Sequence, residues 1–360
     1  MNLSRENNFD LIRLFAALQV VFWHSTEHLH FQEGSSNSLT SFLQFFPGVT
    51  IFFTISGFLI YSSFDKNKDL KIYLRNRFLR IYPALWVCLM FTIILLSAFG
   101  FINSLNVLSS KFIFWIISQS SFLQFYTPDF FRDFGNGSPN GSLWTIPVEV
   151  SFYIFIIFIF WLVRKIKLPQ NYIICSLMIT SYLFNYWYSA NFKTNETQSN
   201  LIKLLGLNLI PYLFYFLLGS LAYVNWERIR KWYEGKGFYW IVFYMAYFFI
   251  FSIWLKKFSP TYWPNLYGLV SIIILSQATL ALAYSKKKLS RKLLRGNDIS
   301  YGIYLYHMPI INTILQLGYK GYNYSFAVVF FLTTLIAFLS WKFIEKPILL
   351  LKRKASIREN

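Results

Sequence analysis

Ten mostly apolar stretches of roughly 17–23 residues follow one another along this chain, each of the length a helix needs to cross a bilayer. They fall at approximately 9–29, 43–64, 82–102, 143–163, 171–190, 204–224, 238–256, 264–284, 299–317 and 325–345. In hydrocarbon each backbone N–H and C=O must find its partner within the protein, so stretches of this kind fold as helices. The expectation is an all-α, polytopic membrane bundle of about ten transmembrane helices. Residues 111–125 are apolar but shorter and read as an interfacial or re-entrant piece. Charged residues make up 14% of the 360, against about 25% in soluble domains. The deficit runs along the whole chain, which excludes a water-soluble domain of any size. Residues 1–348 are expected to form the membrane domain and 349–360 a basic cytoplasmic tail.

The formal net charge of +19 would point to nucleic acid in a soluble protein. Here it sorts by loop. With the N-terminus inside, 26 of the 34 Lys and Arg lie in inner loops and termini, seven in outer loops, and Arg13 within a helix. Such alternation is the positive-inside pattern. Both termini are expected in the cytoplasm, and no nucleic-acid partner is needed. The first apolar run holds Arg13 and His24 and precedes no convincing small-residue cleavage site, so it reads as a retained helix. Cys88 and Cys175 lie within apolar runs and read as small core residues, with nothing to support a disulfide or a metal site. No internal repeat is visible, which counts against transporter folds built from duplicated halves.

Ionisable side chains inside apolar helices are costly and mark function by default. Four stand out: Arg13, His24, Glu149 and His307. Arg13 and His24 are about three helical turns apart and project from nearly the same face. Arg13 sits near the inner surface, within reach of Asp10, and His24 about 22 Å along the helix. Glu149 lies about 9 Å below the outer surface, close to that depth, where a carboxylate could orient an imidazole. His307 counts as nearer mid-membrane. Read blandly, these are polar contacts between helices. Three costly groups together favour a site. The segment RNRFLRIYP, residues 75–83, is the densest basic cluster at a helix start. It anchors anionic headgroups, or its guanidiniums, Arg75, Arg77 and Arg80, hold a phosphate-rich ligand.

Six motifs then share a pattern. NNFDLIRLFAALQVVFWHS at 7–25 carries an arginine, ten residues and a histidine; FFTISGFLI at 52–60 holds Ser56 and Gly57; RNRFLRIYP follows. SLWTIPVEVSFY at 142–153 supplies Ser142, Trp144 and Glu149; DISYGIYLYHMPI at 298–310 supplies Ser300, Tyr301, Tyr304 and His307; WKFIEKP at 341–347 ends on Glu345 and Pro347. In this order, over nearly the whole chain, they resemble the acyltransferase-3 family of integral-membrane O-acyltransferases. The resemblance implies a multi-pass protein of the bacterial plasma (inner) membrane. It implies acyl-CoA, usually acetyl-CoA, as a cytoplasmic co-substrate, with no permanently bound cofactor. A surface polysaccharide or lipid-linked sugar hydroxyl is the implied acceptor, and His24 the essential catalytic residue. Some members carry an added soluble esterase-like domain. None is seen in 1–360, so transfer is expected to finish in the bundle or with a separate protein.

These readings combine into one route. Arg13, Arg75, Arg77 and Arg80 hold the donor; His24 removes the hydroxyl proton, with Glu149 orienting it. Ser142, Trp144, Tyr301, Tyr304 and His307 are candidates for substrate or oxyanion contacts, with no choice among them. A covalent acyl-His24 intermediate is equally open. The same buried groups would also serve a proton-coupled transporter or a lipid-linked sugar flippase.

Overall fold

The computed structural model describes residues 6–30, 42–192, 200–258 and 265–351. Among these every regular element is helical and there is no strand. The α-helices of more than six residues are α1 (Phe9–Leu29), α2 (Gly48–Lys66), α3 (Leu70–Ala98), α4 (Ser110–Ser120), α5 (Thr145–Ile166), α6 (Gln170–Phe192), α7 (Asn200–Leu207), α8 (Leu209–Val224), α9 (Gly237–Phe248), α10 (Leu266–Ala283), α11 (Ser300–Gln316) and α12 (Asn323–Ser340). A helix covers each of the ten apolar stretches. Among the described residues seven are long and apolar enough to cross a membrane: Gly48–Lys66, Leu70–Ala98, Gly141–Ile166, Ile202–Val224, Gly237–Trp254, Leu266–Ala283 and Asn323–Leu351. The other three stretches fall short for local reasons. α1 carries Asp10 and Arg13, α6 is diluted by Asn171, Ser176, Thr180, Ser181 and Asn185, and α11 has only 17 residues.

Two boundaries differ from expectation. α3 begins at Leu70, well before 82, and takes in the basic cluster. Its 29 residues span about 43 Å, longer than a ~30 Å hydrocarbon core, so charged residues occupy its first turns. The 111–125 piece is the 11-residue helix α4, about 16 Å long and too short to span. Ser109 caps it, its hydroxyl accepting the Phe112 N–H at 3.2 Å. Phe112 and Trp115 turn inward onto Leu89, Leu96, Phe131 and Phe134, while Ile113, Phe114 and Ile117 are exposed. The basic tail beyond Leu351 lies outside the described residues.

The chain divides into two compact units. The first holds residues 1–16, 44–69 and 148–296. In it α2 and α8 approach closely because glycines face the contact. A Cβ on Gly57 would lie 1.8 Å from the Phe216 carbonyl oxygen, and one on Gly219 would lie 2.0 Å from that of Thr54. Ser220 Oγ donates to the Gly57 carbonyl at 3.2 Å. Small residues that let backbones meet are the usual means of helix association in lipid, where apolar side chains gain little by leaving hydrocarbon. Asn8 fixes the start of α1: its N–H donates to Ala283 O at 2.8 Å, and its Oδ1 accepts Ser290 N–H at 2.9 Å. Phe9, Phe58, Tyr223, Trp226 and Tyr284 pack edge-on and tilted around that junction.

The second unit holds residues 17–43, 70–147 and 297–360. Its centre is α11, buried along most of its length. Pro309 lies inside this helix and has no N–H to give the carbonyl four residues back, Leu305. Asn140 Nδ2 donates to that carbonyl at 2.9 Å and the Cys88 thiol at 3.3 Å. Asn312 Nδ2 donates to Ser138 O at 2.7 Å and to Pro139 O at 3.1 Å. The 135–144 loop is therefore stitched along α11. Cys88 is buried as expected; Cys175 is exposed, so it is not a core residue.

Candidate functional site

His24 lies on α1 and the fully buried His307 on α11, both in the second unit. His24 Nδ1 and His307 Nε2 are 2.8 Å apart, and the rings stack at 5.1 Å with 18° between planes. Counting residues along each helix separated the two in depth. The contact puts them at one level, because a count measures distance from each helix's own start and ignores tilt. His307 Nδ1 lies 2.7 Å from the Tyr304 carbonyl oxygen. A carbonyl only accepts, so Nδ1 carries the His307 proton. With both rings neutral, His307 Nε2 is then a lone pair and His24 Nδ1 must donate to it. What is left on His24 is the Nε2 lone pair, the form a base or nucleophile needs.

His28, one turn further along α1, has its ring centroid 5.9 Å from that of His24. Asn136 Nδ2 lies 3.3 Å from its Nε2. His28 stands outside the sequence motifs, and its i+4 spacing from His24 is the signal in the sequence that marks it.

The hydroxyls named for an oxyanion hole are already engaged. Ser142 Oγ donates to Asn140 Oδ1 at 2.8 Å, Tyr301 OH to Ile81 O at 3.1 Å, and Tyr304 OH to Ser142 O at 2.9 Å. Thr145 Oγ1 also meets Tyr304 OH at 2.7 Å. These groups tie α11 to α3 and to the Gly141–Trp144 turn, which itself carries the half-buried Trp144. Their geometry holds His307 in place.

Glu149, just past the first turn of α5, belongs to the first unit. Its Oε1 accepts Tyr153 OH at 2.7 Å and Ser56 Oγ at 3.5 Å. The hydrogen bond that orients His24 comes from His307. Arg13 pairs with Asp10 at 3.8 Å, as their spacing suggested.

Arg75, Arg77 and Arg80 all lie on α3. At 100° per residue Arg77 and Arg80 share a face, while Arg75 points about 140° from Arg80. The Arg77 guanidinium sits 5.7 Å over the Tyr73 ring. Arg80 forms a short ion pair with Asp298, whose other oxygen accepts the Ser300 hydroxyl and, at 3.3 Å, the Ser300 N–H. Asp298 thus holds Ser300, the first residue of α11, and Arg80 at once. From Asp298 to His307 is nine residues, about 13 Å along α11. Nearby, Trp341 Nε1 donates to Asn297 Oδ1 at 3.1 Å and Ser340 Oγ to the buried Glu345 at 3.2 Å. The last motif therefore also closes on the start of α11.

An all-helical membrane protein with a paired histidine is a class shared by transporters and transferases, and comparison with known proteins separates them. The family model described as an acyltransferase domain matches residues 6–342. The chain belongs to the acyltransferase-3 family and is an acyltransferase of the membrane. Nodulation protein 10 of Rhizobium leguminosarum bv. viciae is 31% identical over 97% of this chain and 95% of its own. The O-acetyl transferase of Shigella phage Sf6 is 25% identical over 96% and 97%. The peptidoglycan O-acetyltransferase OatA of Listeria monocytogenes is 26% identical over 95% of this chain but 55% of its own, so the chain spans about half of that relative. No solved structure matches the chain.

Proposed function

We propose that this protein moves an acetyl group from acetyl-CoA to a hydroxyl of a surface polysaccharide or lipid-linked sugar at the bacterial inner membrane. The observation that carries the reading is the chain of contacts from His24 Nδ1 to His307 Nε2 and from His307 Nδ1 to the Tyr304 carbonyl, within a family whose relatives are named O-acetyltransferases. His24 Nε2 takes the proton of the acceptor hydroxyl as that oxygen attacks the thioester carbonyl. The carbon–sulfur bond breaks, and the His24 imidazolium returns the proton to the leaving CoA thiolate. His307 Nε2, accepting from His24 Nδ1–H, holds the ring and stabilises its charged form, the part a carboxylate plays in hydrolases. The acyl-His24 variant starts at the same Nε2 atom. The test is purified protein with acetyl-CoA and the host's surface glycan. Release of CoA thiol with acetylated glycan is the expected result, and thiol release no greater than that of His24→Gln would overturn the proposal.

The donor side is assigned to the start of α3. Arg77 and Arg80 face one way, and a phosphate there gains charge-assisted bonds. The ~13 Å between the Arg80–Asp298 pair and His307 suits an extended pantetheine arm. Arg77→Ala should weaken donor affinity by about ten- to a hundredfold, the loss of one such contact. Arg77→Lys should restore part of it, since charge survives but the planar fork does not. Arg80→Ala should also lower the amount of folded protein, because it strands the Asp298 carboxylate, only 9% exposed. If Arg77→Ala leaves the donor KM unchanged, the cluster anchors lipid headgroups only.

With both termini cytoplasmic, the 26-to-7 charge asymmetry sets the loops at Asn67 and Lys287 inside and the loop at Asn136 outside. Labelling of a cysteine placed at position 67 by an impermeant reagent in intact cells would reverse that topology. The loops at Asn37 and Asn195, assigned outside on the same grounds, lie outside the described residues.

A further inference from the structure

The first compact unit holds a half-open cavity of about 210 Å³. Gln44, Thr50, Tyr215, Tyr244, Phe248 and Ser271 are among the residues that line it. That volume far exceeds the roughly 10–15 Å³ one water needs and falls short of the ~300 Å³ of drug-sized pockets. It suits a single small ring.

The walls say which kind. Tyr215, Tyr244 and Phe248 offer aromatic surface, and Tyr244 is held in place by its hydroxyl, which donates to the Phe45 carbonyl. Gln44 and Thr50 add an amide and a hydroxyl, and neither side chain has a hydrogen-bond partner among the described residues. A hydrocarbon tail filling this space would strand both groups, at about 1–3 kcal/mol each. A pyranose presents hydroxyls around its edge and an apolar C–H face, and it satisfies both kinds of wall. Pro47 and Thr50 lie at the start of α2, and Gly268 and Ser271 at the start of α10. On the proposed topology those are outer ends, the side on which a surface glycan is presented.

We propose that this cavity is a carbohydrate subsite that holds one pyranose ring of the acceptor. The inference rests on the glycan-acylation reading, so its test must not depend on turnover. The measurement is saturation-transfer difference NMR on the full-length protein in detergent, with glucose, galactose, mannose and N-acetylglucosamine as probes. At least one sugar is expected to give a signal, and farnesol is expected not to displace it. The double variant Gln44→Ala/Thr50→Val removes two hydrogen bonds and should weaken the signal-giving sugar by about tenfold. Gly268→Leu should block the space, with thermal melts confirming that each variant is folded. His24→Gln should bind the sugar as the parent does, which separates failure of the subsite from failure of the acyl-transfer reading. Silence from all four sugars, a signal that survives the double variant, or displacement by farnesol would each overturn the proposal.

Discussion

His24→Gln lowers acyl transfer by about 10²–10⁴-fold, the usual contribution of a positioned base, while membrane protein level is unchanged. Glutamine keeps an amide N–H to offer His307 Nε2, which His24 Nδ1 meets at 2.8 Å. It has no nitrogen lone pair to accept a hydroxyl proton. The substitution therefore removes the chemistry and spares the contact. His307→Ala should fall between the parent and His24→Gln, and should act on kcat rather than on donor KM. Without His307, His24 still has a basic nitrogen but nothing chooses which one. Glu149→Gln should also be intermediate if that carboxylate supports the charged imidazole. The readout is glycan acetylation in a complemented deletion strain, with membrane level followed by an epitope tag. Full acetylation by His24→Gln at parental expression would end the assignment and move the role to His307.

Gly57→Leu should leave almost no recoverable folded protein. The position has no room for even a Cβ, which would sit 1.8 Å from the Phe216 carbonyl oxygen. That oxygen belongs to a helix backbone and cannot rotate away, so α2 and α8 would have to separate. Overpacking typically costs about 1–3 kcal/mol where side chains can yield, and more where backbone must move. Separation would also break the Ser220–Gly57 hydrogen bond of 3.2 Å. Gly100→Ala is the matched control. Gly100 has φ +77° with nothing within 4 Å of its Cβ position, so it carries backbone strain alone, about 1–2 kcal/mol. Yield and melting temperature in detergent compare the two. Equal loss from both would show that the α2–α8 contact tolerates a side chain at position 57.

The sequence by itself determined the helices, because their causes are local. Length and apolarity set each span, and the capping serine and the polar residues of α6 act within a turn or two of where they stand. It also determined that Arg13, His24, Glu149 and His307 were out of place in lipid, because the cost of an ionisable group there does not depend on its neighbours. The motifs carried the family in the same way. Which of these groups meet was decided only by tertiary structure. His24 and His307 are 283 positions apart, and no periodicity links them. Depth counted along separate helices favoured Glu149 as the orienting partner, whereas the hydrogen bond to His24 is made by His307. The pairing depends on how α11 is held: by Asp298 on Arg80 at one end, and by Asn140 and Cys88 on the carbonyl that Pro309 leaves open. Each of those contacts joins residues far apart in the chain, and the proton position on His24 follows from their sum.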